Sequence, residues 1–218
     1  MTTLDLVVIG GGEHARVLIE AARSRPDRWN VIGFVDVEPG EETSRRMGIP
    51  RLGSDDEGRR MAAAGAAHFV LGIAGLNSLN ARESLAAAYD EAGVRWGTIV
   101  HATAWISPTA RLDGGVFVSA GAIINSGARM ERHAVINTGA VIEHDVVVGE
   151  FAQVSPGAVL GGGSRVGARS YVGLGASVRD HVEIGEAAVV GMGAVVVAPV
   201  PSGGRVVGNP ARPQRTPR

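Results

Sequence analysis

From Ile106 to Val196 an aliphatic residue recurs at every sixth position without one insertion. The series is Ile106, Leu112, Val118, Ile124, Met130, Ile136, Ile142, Val148, Val154, Leu160, Val166, Val172, Val178, Ile184, Val190 and Val196. Four residues after each stands Ala, Val or Ser. Gly often follows the aliphatic residue directly, as at Gly149, Gly167, Gly173, Gly185 and Gly191. A period of six fits neither the 3.6 of a helix nor the 2 of a solvent-backed strand. It fits a short strand, a turn and the next strand. Three hexads close one triangular coil of 18 residues, and residues 106–201 supply just over five coils. In each coil the aliphatic side chain points inward and stacks on its equivalents above and below. The small residue lets the chain round the corner, where Gly supplies backbone freedom. A β-sandwich of short strands is the rival, but it gives no reason for unbroken register over sixteen units. Composition agrees with repeated tight turns: 32 of 218 residues are Gly, about twice the usual share.

The first 98 residues follow a different pattern. Leu4–Ile9 is a short apolar strand, and Gly10, Gly11 and Gly12 form a turn. Residues 14–24 carry apolar side chains at Ala15, Leu18, Ile19 and Ala22, the spacing of one helix face. Residues 31–35 read as a second strand, 38–46 as a charged loop, 55–64 as a helix and 69–73 as a third strand. Residues 79–92 read as a further helix, and 96–100 close the half. Strands alternating with helices predict a small Rossmann-like parallel sheet. The expected organisation is therefore an α/β domain over 1–98, an all-β parallel β-helix over 99–201, and a C-terminal tail over 202–218.

Several functions are excluded or disfavoured by composition. With no cysteine the chain has no disulfide and no thiolate nucleophile or metal ligand. A formal net charge of −1 gives no electrostatic case for nucleic acid or an anionic membrane. The start of the chain has neither a basic leader nor an apolar run of spanning length, so a cytoplasmic location is expected.

The repeat [LIV]-G-x-x-[AV]-x resembles the hexapeptide-repeat acyltransferases, and residues 207–212 (VGNPAR) resemble the segment that closes their last coil. Four stretches narrow the resemblance to the sialic-acid O-acetyltransferases and UDP-4-amino-sugar (bacillosamine) N-acetyltransferases. They are VIGGGEHARV at 8–17, IGFVD at 32–36, IVHATAWISPTA at 99–110 and VINTGAVIEHDVVVG at 135–149. The last is the most specific. The resemblance implies a left-handed β-helix, acetyl-CoA as co-substrate, no metal, and a homotrimer with the active site between subunits.

Acetyl transfer from a thioester needs a general base near the attacking group, a donor for the developing oxyanion, and both substrates held in line. His144 is the candidate base and Asp145 the residue that orients it. His133 and His181 read as surface residues. By the resemblance Asn137 faces the acceptor sugar. Gly162, one 18-residue coil beyond His144, offers its N–H to the thioester carbonyl, and Gly191, Gly193 and Pro210 line the CoA groove. Gln153 stands where some relatives have a second His at the acetyl-CoA end. Arg212, Arg215 and Arg218 are candidates for the CoA phosphates.

In the N-terminal half, Gly10, Gly11 and Gly12 lie between a strand and a helix, where backbone N–H groups suit a diphosphate. Ala15 replaces the third Gly of a dinucleotide fingerprint, which favours a nucleotide sugar over NAD. His14 is a candidate for the phosphate or sugar, and Asp36 for a ribose hydroxyl or base edge. By the resemblance residues 72–77, with Gly75, form the opposite lip. The expectation is an N-acetyltransferase acting on the 4-amino group of a nucleotide-linked dideoxy sugar. Rivals are a sialic-acid-type sugar O-acetyltransferase, a NAD-dependent enzyme, and a non-catalytic β-helix scaffold.

Overall fold

The computed structural model describes residues 3–214, which fall into two compact units divided between Ala102 and Thr103. The first unit contains strands β1 (Leu4–Ile9), β2 (Trp29–Val35), β3 (Arg51–Gly53), β4 (His68–Leu71) and β5 (Arg95–Trp96). All pair in parallel in the order β3-β2-β1-β4-β5. β1 is central, and Leu6, Val7, Val8 and Ile9 are fully buried. Helix α1 (Glu13–Arg23) buries Ala15, Leu18, Ile19, Ala21 and Ala22. It approaches closely because Gly72, after β4, has no side chain: a Cβ there would lie 3.0 Å from that of Ala15. The close helix–strand approach that a third Gly gives in a dinucleotide fold is supplied here by Gly72.

The charged segment after β2 is not a loop, as its sequence suggests, but helix α2 (Glu41–Met47), followed by β3. Only Thr43 of α2 is buried, so the helix has no apolar stripe to betray it. Its support is at the ends: Glu41 and Glu42 in the first turn, Arg45 and Arg46 in the last, and left-handed Gly40 and Gly48 as caps. Helices α3 (Asp55–Ala63) and α4 (Leu79–Glu91) complete the unit.

The second unit is a triangular parallel β-helix. Its first face runs Trp105–Ile106, Ile123–Ile124, Val141–Ile142, Val159–Leu160, Ser177–Val178 and Val195–Val196. The second runs Arg111–Leu112, Arg129–Met130, Val147–Val148, Arg165–Val166 and Glu183–Ile184. The third runs from Phe117–Val118 through Val135–Ile136, Gln153–Val154, Tyr171–Val172 and Val189–Val190. Arg205–Val207 continues this face in parallel, and Arg212–Pro213 pairs antiparallel beyond it. Each strand bonds to the one 18 residues away, as in Ile124↔Ile142↔Leu160↔Val178. Fourteen of the sixteen repeat positions are buried, and Ile106 and Leu112, at the start of the stack, are half-buried.

The corners need two kinds of glycine. Left-handed backbone recurs three residues after the aliphatic position, at fourteen successive places from Gly115 to Gly193. Glycines directly after the aliphatic residue have no positive φ. They are there for closeness: a Cβ on Gly149 would lie 2.5 Å from the Ala168 nitrogen, and one on Gly167 would lie 2.6 Å from that of Glu186. The coil spacing leaves no room for a methyl group at these points.

Candidate active site

The corner between the first and second faces carries Ser126 and Gly127, His144 and Asp145, Gly162 and Gly163, and Asp180 and His181 in successive coils. His144 leans forward along the stack onto Gly162. A Cβ on Gly162 would lie 2.7 Å from its Cε1 and 3.0 Å from its Cδ2, with Nε2 nearer still. His144 Nδ1 is 3.0 Å from Asp145 Oδ2. With the carboxylate on Nδ1 accepting a hydrogen bond, Nε2 is left as the lone-pair nitrogen, aimed over Gly162. Both side chains are more than half exposed, so the pair is open to a ligand.

Asp145 is held at φ 60°. A side chain in left-handed backbone costs about 1 kcal/mol, less for Asp than for most residues. Among the described residues the Gly162 N–H donates to no protein group; its neighbour Gly163 N–H is held by the His144 carbonyl at 2.8 Å. One corner thus brings together an imidazole, a carboxylate hydrogen-bonded to it and a backbone N–H beside it.

Asn137 is elsewhere. It follows Ile136 on the third face, at the corner leading into the first, with Gly191 three coils further along the same corner and Gly193 two residues after it. Its Oδ1 accepts the Thr138 N–H at 2.8 Å. Pro210 and Arg212 lie exposed at the C-terminal end; Arg215 and Arg218 lie outside the described residues. Gln153 is an outward position of the third face yet only 6% exposed. Within one chain the structure gathers His144, Asp145 and Gly162, and leaves Asn137, Gln153, Gly191 and Gly193 on other parts of the prism.

The reading of His133 as a surface residue is corrected: it is 1% exposed and stacks on Phe151 with ring centroids 4.9 Å apart. Its place in the hexad points outward from the coil, but the chain folds it against the neighbouring coil, over Gly115. His181 is exposed as expected.

In the first unit the sheet order reverses between β1 and β4, and ligands of such sheets sit beyond the strands' carboxyl ends at that point. Gly10, Gly11, Gly12 and Gly75 are there. Gly10 has φ 101°, and Gly75 has φ 116°. Gly12 caps the N-terminus of α1 and has open space where a side chain would be. Asp36 is already in use: its carboxylate accepts the N–H of Gly11 at 2.5 Å and of Glu38 at 2.9 Å. It therefore fixes the Gly-rich turn, whatever else it contacts. Burial, and then the charge of Arg82, push the His14 imidazole down to about 4. His14 is thus neutral at pH 7, a hydrogen-bonding group and not a cation. Arg82, on α4, is only 1% exposed, and no sequence signal marked it, since it interrupts a helix face as any solvated charge would.

The family described as PglD N-terminal domain matches residues 5–87. Comparison with the curated proteins gives no significant match. Among solved structures, a variant of perosamine N-acetyltransferase from Caulobacter crescentus, in complex with CoA and GDP-perosamine, is 32% identical, with 99% of this chain and 100% of that chain covered and a TM-score of 0.87. This chain belongs to the hexapeptide-repeat sugar N-acetyltransferases. The acetyltransferase domain of PglB from Neisseria gonorrhoeae, in complex with acetyl coenzyme A, is 27% identical (98% and 100% covered, TM-score 0.87). WeeI from Acinetobacter baumannii is 26% identical (97% and 100% covered, TM-score 0.82). As in this family, the β-helix is left-handed, against the usual rule for parallel crossovers. The chain is an acyltransferase. Among the described residues no group of three or more His, Asp or Glu is placed to hold a metal ion, and no helix is long and apolar enough to cross a membrane.

Gly162→Ala tests the geometry of this corner as a candidate site. Only the end of the His144 side chain stands in the way of the new methyl, and the backbone there has no positive φ. The expected result is a melting temperature within about 3 °C of the parent and a fall in kcat of about 10²-fold, because a displacement of about 1 Å takes the base out of line. Unchanged kcat would show that His144 does not work from this position.

Proposed function

We propose that the protein transfers the acetyl group of acetyl-CoA to the 4-amino group of a nucleotide-linked 4-amino-4,6-dideoxy sugar. The observation that carries this reading is the His144 ring, stacked over Gly162 with Nδ1 on the Asp145 carboxylate. Relatives solved with CoA and GDP-perosamine, or with acetyl coenzyme A, support it.

In this mechanism the amine attacks the thioester carbonyl carbon and a C–N bond forms. His144 Nε2 takes a proton from the nitrogen as it becomes cationic, a role worth about 10²–10⁴-fold. The carbonyl oxygen gains negative charge and accepts the Gly162 N–H. When the pair on oxygen returns, the C–S bond breaks and CoA leaves as a thiolate. The proton on His144 passes to that sulfur or to water. In the first unit, the N-terminus of α1 at Gly12 faces the diphosphate, with neutral His14 as a hydrogen-bonding neighbour.

Asn137 and His144 stand at different corners of one prism, so a site that uses both draws them from two copies of the chain. A surface for such assembly exists. Outward side chains of the first face form an apolar stripe of Trp105, Ile123, Val141 and Val159, with Trp105 59% exposed. We therefore assign this face to a homotrimer contact, with the reaction between subunits.

The test is thiol release from acetyl-CoA with UDP-, dTDP- and GDP-linked 4-amino sugars and with free sialic acid. The expected result is release with one nucleotide-linked amino sugar and none with sialic acid. Release with sialic acid alone would make the protein an O-acetyltransferase, and no release with any acceptor would sink the proposal.

A further inference from the structure

The corner that carries His144 holds a second imidazole. A Cβ on Gly163 would lie 2.5 Å from Nδ1 and 2.7 Å from Cε1 of His181. His144 leans forward from the preceding coil onto Gly162, and His181 leans back from the following coil onto Gly163. Two rings therefore converge, from opposite sides, on two adjacent residues that have no side chains.

The opposite lean has a structural cause. His144 is two residues after its aliphatic position, and His181 is three after its own, at the left-handed place, with φ 55°. Asp145 occupies the same place two coils earlier in the same column, and its carboxylate also leans back, over Gly127. Eight of the fourteen left-handed places are Gly, which is free of the roughly 1 kcal/mol that a side chain incurs there. Such strain is kept where the surrounding structure holds it, often at functional sites. The His181 ring is exposed and makes no hydrogen bond within the described residues, so it is open to a ligand over the same glycines as His144.

We propose that His181 is a catalytic residue of acetyl transfer, donating an N–H hydrogen bond to the thioester sulfur of acetyl-CoA as the C–S bond breaks. This rests on the reading of the corner as the acetyl-transfer site. The acceptor and the leaving group stand on opposite sides of the reacting carbon. With His144 on the acceptor's side and the carbonyl oxygen at Gly162, the far side of the carbon falls toward Gly163 and the ring above it. No proton is lost by His181. The electron pair of the C–S bond goes to sulfur, the His181 N–H stabilises it there, and the proton collected by His144 neutralises the thiolate directly or through water.

The test uses the full chain with His181→Gly, which relieves the left-handed backbone and so is expected to melt at or above the parent temperature. Variant and parent are compared with acetyl-CoA and with the acetyl thioester of a thiophenol, whose more acidic thiol leaves unaided. We expect kcat/KM to fall about 10–100-fold with acetyl-CoA and less than about 3-fold with the aryl thioester, with KM for the amino sugar unchanged. His181→Asn, which keeps an N–H donor, is expected to recover part of the loss. Parental rates with acetyl-CoA, or equal losses on both thioesters, would overturn the assignment. A parent protein that releases no thiol with any acceptor overturns the proposed function itself, a separate result from either of these.

Discussion

Replacing His144 by Ala is expected to lower acetyl transfer by about 10²–10⁴-fold at neutral pH, with little change in stability. The size is that of a positioned general base. The small effect on folding follows from exposure: the ring is more than half exposed and buries little apolar surface. In the proposed mechanism the imidazole takes its proton only in the transition state, so the loss is expected to fall on kcat. Steady-state thiol release with the preferred nucleotide amino sugar measures it, and retention of more than about a tenth of parental kcat would remove His144 from the mechanism. The same variant tests the shared site. His144→Ala and Asn137→Ala proteins are each expected to be impaired. In the proposed homotrimer, unfolding and refolding the two variants together would give mixed assemblies in which some sites receive an intact Asn137 and an intact His144. Activity above that of either variant alone is expected. No recovery would place both residues' action within one chain, against their positions at different corners of the prism.

Leu160→Ala is expected to cost about 2–5 kcal/mol of folding free energy. Leu160 is fully buried, and its strand lies between those of Ile142 and Val178 in the middle of the stack. The neighbouring coils cannot collapse into the space, because close-set glycines such as Gly149, Gly161 and Gly167 already bring the backbones to contact distance. Because each coil touches only its neighbours, a defect here weakens coupling on both sides. Ile106→Ala, at the half-buried start of the stack, is expected to cost much less. Urea unfolding followed by circular dichroism measures both. A Leu160→Ala cost below about 1 kcal/mol, or one no larger than that of Ile106→Ala, would contradict a continuous interior stack.

The repeat was legible because its physics is local and periodic. Every sixth residue must be inward and apolar, and a shift of one would turn the whole interior outward. So the sequence marks the interior positions, the 18-residue coil and the stacking of His144 on Gly162 by counting alone. The same count leads from Asp145 to Gly163 to His181, which reads as a surface residue and is exposed in the structure; counting gives the column and not the lean of the ring. That lean depends on which hexad place is left-handed. Helix α2 was hidden for a different reason: it buries almost nothing, so no pattern of apolar residues records it.

The sequence by itself determined the coil, its interior, the alternating α/β unit and the residue types at the corner of His144. Tertiary structure alone decided what depends on contact between coils. The burial of His133 beneath its neighbours is one case, and the division of glycines between left-handed turns and close approach is another. A third is the use of the Asp36 carboxylate to fix the Gly11 turn. Each is set by distances between segments 18 or more residues apart, and these are fixed only when the strands are hydrogen-bonded in register.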